Sequence, residues 1–218
     1  MKEKINWRLE WAFITNEYST FISYNVPYMN TAYEEITYQP TITDMIKKNN
    51  YDIFVDVGAY IGYFSIIASH FCKEVIAYEA QPFFYGILLN NTKFMSNVKC
   101  KYCWVSNLED VSRLMHPLMM VNSYKGDVYN IPVVSLDTEL LHLKDEKILI
   151  KMDIEGNELN ALRGSSEILK HPNIHWFIDV HISEETTKLK MEDILSFFED
   201  REVIQRDDML EVRGELSS

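Results

Sequence analysis

Three stretches of this sequence place charged residues and glycines where apolar runs end. The first is Val55-Asp56-Val57-Gly58-Ala59-Tyr60-Ile61-Gly62. An apolar run enters a glycine-bearing turn, and a helical pattern follows. Glycine lets the backbone approach a ligand closely, and a helix start offers N–H groups and a positive dipole end. The next apolar run ends at Glu79, whose carboxylate can accept both hydroxyls of a ribose. Together Asp56, Gly58, Ala59, Tyr60, Gly62, Glu79 and Ala80 read as a nucleoside site. The dinucleotide fingerprint Gly-x-Gly-x-x-Gly is incomplete, because Tyr60 stands at its middle glycine and would crowd a pyrophosphate. Asp56 argues the same way: a carboxylate in the turn suits the amino group of a methionine moiety and repels a pyrophosphate. The expected ligand is an adenosyl group without phosphates.

The second stretch is Leu149-Ile150-Lys151-Met152-Asp153-Ile154-Glu155-Gly156-Asn157-Glu158. A buried strand would deliver Lys151, Asp153 and Glu155 at its carboxyl end, where open α/β sheets bind ligands. Glu155 and Glu158 are also explained by the dipole of a following helix. Asp153 has less of a structural excuse, since charge at the end of a buried strand is costly unless it is paired or faces a cleft. The third stretch is Phe177-Ile178-Asp179-Val180-His181, in which Asp179 and His181 share one face of a strand. His116, His142, His171 and His175 lack such a context and read as structural or surface residues.

The elements that must position these groups follow from periodicity. Strands are expected at Ile53–Val57, Glu74–Tyr78, Val98–Val105, Ile131–Leu136, Lys147–Met152 and His175–Ile182, with a closing pair at Glu202–Arg206 and Met209–Arg213. Helices are expected at Gly62–Phe71, after Pro82, at Glu155–Leu169 and at Glu185–Phe198. Alternating strands and helices imply a doubly wound, mainly parallel α/β sheet. Residues 1–50 lack clean periodicity and read as a helical and irregular cap, with Thr43 as an N-cap. Residues 51–218 then form the ligand-binding domain. A turn is expected at Lys125-Gly126-Asp127, and the apolar run Leu118-Met119-Met120-Val121 suits either a contact surface or the core.

Composition narrows the function. The net charge of −12, from 21 basic and 33 acidic residues, disfavours nucleic acid as a partner. Met1–Phe13 has no apolar signal core, and Phe54–Ala68 is too short to span a bilayer and carries Asp56. Three cysteines, Cys72, Cys100 and Cys103, suit a reducing, cytoplasmic compartment. The Cys100-Lys-Tyr-Cys103 pair lies on an expected strand with no second pair to complete a zinc site, so all three read as buried thiols.

The chain resembles the FkbM-type methyltransferase family. The resemblance rests on the turn from Val55 to Ser65, on Tyr78-Glu79-Ala80-Gln81-Pro82, on Leu136-Asp137, and on Lys151-Met152-Asp153-Ile154-Glu155-Gly156-Asn157-Glu158 leading into Leu162-Arg163-Gly164. It spans about residues 50 to 183. It implies a Rossmann-like seven-stranded methyltransferase sheet with an antiparallel edge hairpin, and methyl transfer from S-adenosylmethionine to a hydroxyl of a sugar or small molecule. This chain departs from the family in two places. Ala80 and Gln81 intervene between Glu79 and Pro82, and Asp179 stands where the family often has Glu. On this reading Asp153 is the first choice of general base and His181 the second, and Glu155 positions the substrate. A divalent metal held by Asp153 and its neighbours is compatible with the spacing but not required by it. A catalytically silent Rossmann-like module and an NAD-dependent oxidoreductase are the alternatives. Oligomeric state is not legible.

Overall fold

A computed structural model describes residues 10–14, 20–24, 40–108, 131–181 and 190–214. An antiparallel hairpin of β1 (Glu10–Ile14) and β2 (Thr20–Tyr24) precedes helix α1 (Pro40–Lys48). Next come β3 (Ile53–Val57), α2 (Tyr63–Ser69), β4 (Glu74–Glu79), α3 (Pro82–Thr92), β5 (Val98–Tyr102) and β6 (Trp104–Val105). After the undescribed segment come β7 (Val133–Val134), α4 (Leu136–Leu140), β8 (Ile148–Met152), α5 (Glu158–Arg163) and β9 (Ile174–Asp179). Helix α6 (Met191–Leu195) and the hairpin of β10 (Glu202–Arg206) and β11 (Met209–Arg213) close the fold.

Seven strands form one sheet in the order β10-β11-β9-β8-β3-β4-β5. Neighbours from β9 to β5 run parallel, and β11 pairs antiparallel with both β9 and β10. The chain winds outward from β3 to β5 and returns to lay β8 beside β3. That reversal makes β3/β8 the topological switch point, where a crevice opens at the strand carboxyl ends. Every residue of both strands is buried. Alternation sends Val55, Val57, Ile150 and Met152 to one face, against Leu162, Trp176 and Ile194. It sends Phe54 and Leu149 to the other, against Phe64 and Ile67. Ile42, Met45 and Ile46 of α1 belong to that second layer, so the expected boundary at residue 50 follows a helix packed into the core.

Several expected elements take a different form. The run 98–105 breaks at Cys103: β5 pairs with β4 only as far as Glu79↔Tyr102, and Trp104–Val105 pairs with β7 in a separate parallel ribbon. The strand expected over 131–136 is reduced to β7, because the Ser135 side chain accepts from Thr138 N and starts α4. The helix expected from Glu155 begins only at Glu158, since Glu155 and Gly156 have φ of 55° and 97°. It ends at Gly164, where a side chain would strike the Ser106 carbonyl. The strand before His181 stops at Asp179. Thr43 lies inside α1 rather than capping it, and residues 10–24 contain a hairpin where a helical and irregular cap was expected. Cys72 and Cys103 are buried and Cys100 half-buried, all three as free thiols. His116, the 118–121 run, the 125–127 turn, residues 185–189 of the helix expected over 185–198 and the strand end at Ile182 lie outside the described residues, and the described part of that helix starts only at Met191, after an extended Lys190. Among the described residues, no helix is long and apolar enough to cross a membrane.

Candidate active site

The carboxyl ends of β3, β4 and β8 open on one cleft of about 420 Å³. Its lining includes Gly58, Tyr60, Glu79, Ala80, Asp153 and Glu155, with Phe84 and Trp104 as apolar walls. The turn after β3 is pressed hard against the loop after β8. A Cβ on Gly58 would stand 1.8 Å from the Asp153 carbonyl oxygen, and φ there is +78°, so only glycine fits. Asp153 N donates to Val57 O at 3.0 Å and locks the two ends together.

The turn spends its N–H groups on the protein. Gly58 N and Ala59 N both donate to Tyr78 O, at 3.0 and 2.9 Å, and Gly62 N donates to Ala59 O at 2.8 Å. Tyr60 N donates to Glu79 Oε2 at 2.8 Å. These bonds close the turn on itself and onto β4, ahead of the N–H groups that open α2 at Tyr63. Tyr60 itself has φ of 53°, outside the range side chains prefer, and its ring packs on Phe84 at 4.2 Å.

Glu79 is held at both oxygens. Besides Tyr60 N, Gln81 N donates to Oε1 at 2.7 Å. The residues between Glu79 and Pro82 thus supply the second anchor of the carboxylate, and Gln81 also stands at the N-cap position of α3, without a side-chain capping bond. Burial pushes the Glu79 carboxyl up to about 7, against the lowering effect of those two N–H groups. Each oxygen keeps a lone pair for a ligand in the cleft.

Asp56 is where the structure departs most from the sequence reading. It is 1% exposed and lies under α2, where Ser65 Oγ donates to Oδ2 at 2.7 Å. It does not line the cleft. Its register partner across β3 and β8 is Lys151, whose ammonium is 3.5 Å from Asp56 Oδ1 and 3.5 Å from Asp153 Oδ2. The same ammonium donates to Gly58 O at 3.2 Å and lies over the Phe64 ring. One buried cation thus ties the β3 turn to Asp153. Burial raises the Asp56 carboxyl above the usual carboxylate range, and Lys151 opposes that shift.

Asp153, Asp179 and His181 converge from the ends of β8 and β9. His181 Nδ1 is 3.1 Å from Glu158 Oε1, and that contact pushes the imidazole up to about 9. Its Nε2 is 3.7 Å from Asp153 Oδ1 and 3.8 Å from Glu155 Oε2. Glu155 is largely exposed, whereas Glu158 is fully buried and also accepts the Ile154 and Gly156 N–H groups. Burial, then the nearby Asp153 charge, raises the Asp179 carboxyl.

A family model for the methyltransferase FkbM domain matches residues 56–205. The chain belongs to the FkbM methyltransferase family. Among solved structures, methyltransferase FkbM from Methylobacillus flagellatus KT aligns at a TM-score of 0.51 with 22% identity, over 75% of this chain and 44% of that one. This chain therefore spans less than half the length of that relative. The N-methyltransferase NodS from Bradyrhizobium japonicum WM9 aligns at a TM-score of 0.50 with 11% identity, over 88% and 100% of the two chains. These are likenesses of fold. No curated protein matches the sequence significantly.

Within this FkbM domain, the structure gathers Gly58, Tyr60, Glu79, Ala80, Asp153 and Glu155 at one cleft, with His181 behind them. Ala59 and Gly62 are buried in the turn and shape it. Asp137 anchors the turn after α5 by accepting from Glu167 N and Ile168 N. The sequence reading placed Lys151 at this strand end but missed its pairing with Asp56, and it missed the contact of Glu158 with His181. Their signal was present, as charged residues inside or next to an apolar run. The cleft walls Phe84 and Trp104 had no signal beyond apolarity.

Proposed function

We propose that this chain transfers a methyl group from S-adenosylmethionine to a hydroxyl oxygen of a sugar or other small molecule. The observation that carries the reading is the pairing of Glu79 with a turn whose N–H groups are closed. A carboxylate held at both oxygens and facing a cleft fits a ribose diol. A turn that spends the N–H groups of Gly58, Ala59, Tyr60 and Gly62 internally has little to offer a pyrophosphate. This favours an adenosyl ligand without phosphates over a dinucleotide.

The cofactor, when bound, supplies an electrophilic methyl group on a sulfonium. The chain's own work is positioning and proton transfer. Glu79 orients the ribose. Asp153 lines the cleft and takes the proton of the acceptor hydroxyl as its oxygen bonds to the methyl carbon and the carbon–sulfur bond breaks. Lys151, 3.5 Å from Asp153 Oδ2, fixes its direction. Glu155, exposed at the mouth, meets the acceptor. The free thiols Cys72, Cys100 and Cys103 suit a reducing compartment such as the cytoplasm.

Calorimetric titration of S-adenosylmethionine, S-adenosylhomocysteine and NAD tests the cofactor. Both adenosyl ligands should bind, NAD should not, and Glu79→Ala should abolish the binding. Failure of both adenosyl ligands would refute the reading. Asp153→Asn should abolish transfer while S-adenosylhomocysteine binding persists; full turnover in that variant removes Asp153 as the base.

A further inference from the structure

We propose that Asp153, Asp179 and His181 bind one divalent transition-metal cation beside the cleft. One ligand atom from each lies within 4.8 Å of the other two. The placement is built into the sheet: Met152 and Ile178 are register partners on β8 and β9, so Asp153, just past the end of β8, stands beside Asp179, the last residue of β9. The imidazole Nε2 stands 3.7 Å from Asp153 Oδ1 and 3.8 Å from Glu155 Oε2. Those separations are too long for hydrogen bonds. They fall within the roughly 4.2 Å that two donors, each about 2.1 Å from a shared cation, can span at most.

The second observation lies outside the three ligands. Glu158 is 0% exposed, and its Oε2 has no hydrogen-bond partner. Its Oε1 is 3.1 Å from His181 Nδ1. A buried carboxylate behind a histidine keeps the proton on Nδ1 and presents Nε2 as a ligand, the arrangement that supports metal-binding histidines. A role in the α5 dipole alone needs neither full burial nor contact with His181. Two carboxylates and an imidazole select Mn²⁺, Fe²⁺ or Zn²⁺ over the all-oxygen preference of Ca²⁺. Glu155, at the cleft mouth, is a further oxygen within reach. If the proposed methyl transfer holds, a cation here would grip the acceptor's oxygens and acidify the reacting hydroxyl. The proton still passes to a carboxylate of the cleft.

The test uses Mn²⁺ and the whole chain, freed of metal by chelation. Electron paramagnetic resonance of free Mn²⁺ should report one bound ion per chain. Asp179→Asn and His181→Ala should each weaken binding at least tenfold, and Glu158→Gln by roughly tenfold to a hundredfold. The same variants, titrated with S-adenosylhomocysteine, report folding and the cofactor site separately, and that affinity should stay within about twofold of wild type. The proposal is overturned if the wild-type chain takes up no Mn²⁺ at about millimolar concentration, or if Asp179→Asn binds it as well as wild type. A chain that binds Mn²⁺ but no S-adenosylhomocysteine would keep the metal site and sink the methyltransferase reading.

Discussion

Replacing Glu79 by Gln keeps the shape of a side chain that is 7% exposed and removes its charge. The carboxyl titrates at about 7 rather than at 4.5, chiefly because it is buried. A ribose diol donates two hydrogen bonds and so needs the ionised form. Wild-type affinity for S-adenosylhomocysteine should therefore rise about tenfold per pH unit up to pH 7 and level off above it. Stability runs the opposite way. The folded pKa lies above the unfolded one, so the neutral carboxyl favours folding fully below pH 4.5, and that advantage disappears as pH climbs through 7. The linked change is at most about 3 kcal/mol. Glu79→Gln removes both slopes. Its amide nitrogen must also face Tyr60 N or Gln81 N, each of which now donates to an oxygen. Above pH 7 the loss of a charged hydrogen bond, about 1.5–3 kcal/mol, weakens the ligand by roughly one to two orders of magnitude. Calorimetry from about pH 5.5 to 8.5 on both proteins measures each effect. A flat wild-type profile, or a slope that survives in the variant, would refute the assignment of Glu79 to the ribose.

Other perturbations probe the scaffold beneath the cleft. Gly58→Ala puts a methyl group into the Asp153 carbonyl at a positive φ; a cost above about 3 kcal/mol should lower the melting temperature by roughly 6–12 °C, and a shift under about 2 °C would contradict the close approach. Lys151→Met strands the Asp56 carboxylate without its cation and should cost about 3–5 kcal/mol in urea denaturation. Adding Asp56→Asn should restore much of that loss, and strict additivity in the double-mutant cycle would show that the two groups are not coupled.

Much of the sheet was legible because its central strands are buried on both faces and read as apolar runs. The closing hairpin was legible to the residue, since Glu202–Arg206 and Met209–Arg213 are separated only by a two-residue turn. What failed were boundaries set by tertiary partners. Residues 98–105 run on apolar through Cys103-Trp104-Val105, yet β4 ends at Glu79, and beyond Tyr102 the chain turns to pair with β7 instead. The pattern from Glu155 onward is helical, yet the loop that brings Glu155 to the cleft needs two residues at positive φ before a helix can begin.

Asp56 shows why the type and place of a residue do not give its role. Residues at the end of a strand alternate between faces, and the cleft begins only where the backbone leaves the sheet. Asp56 falls one residue before the last of β3, on the face that carries Phe54, and so points beneath α2 toward Lys151. Asp153 lies one residue beyond the end of β8 and is released to the rim. Two aspartates that look alike in sequence thus divide the work. The buried one holds the ammonium of Lys151, and that ammonium in turn holds the half-buried one and the Gly58 carbonyl. A change at Asp56 should therefore reach the proposed base and the proposed cofactor turn together, though it touches neither ligand.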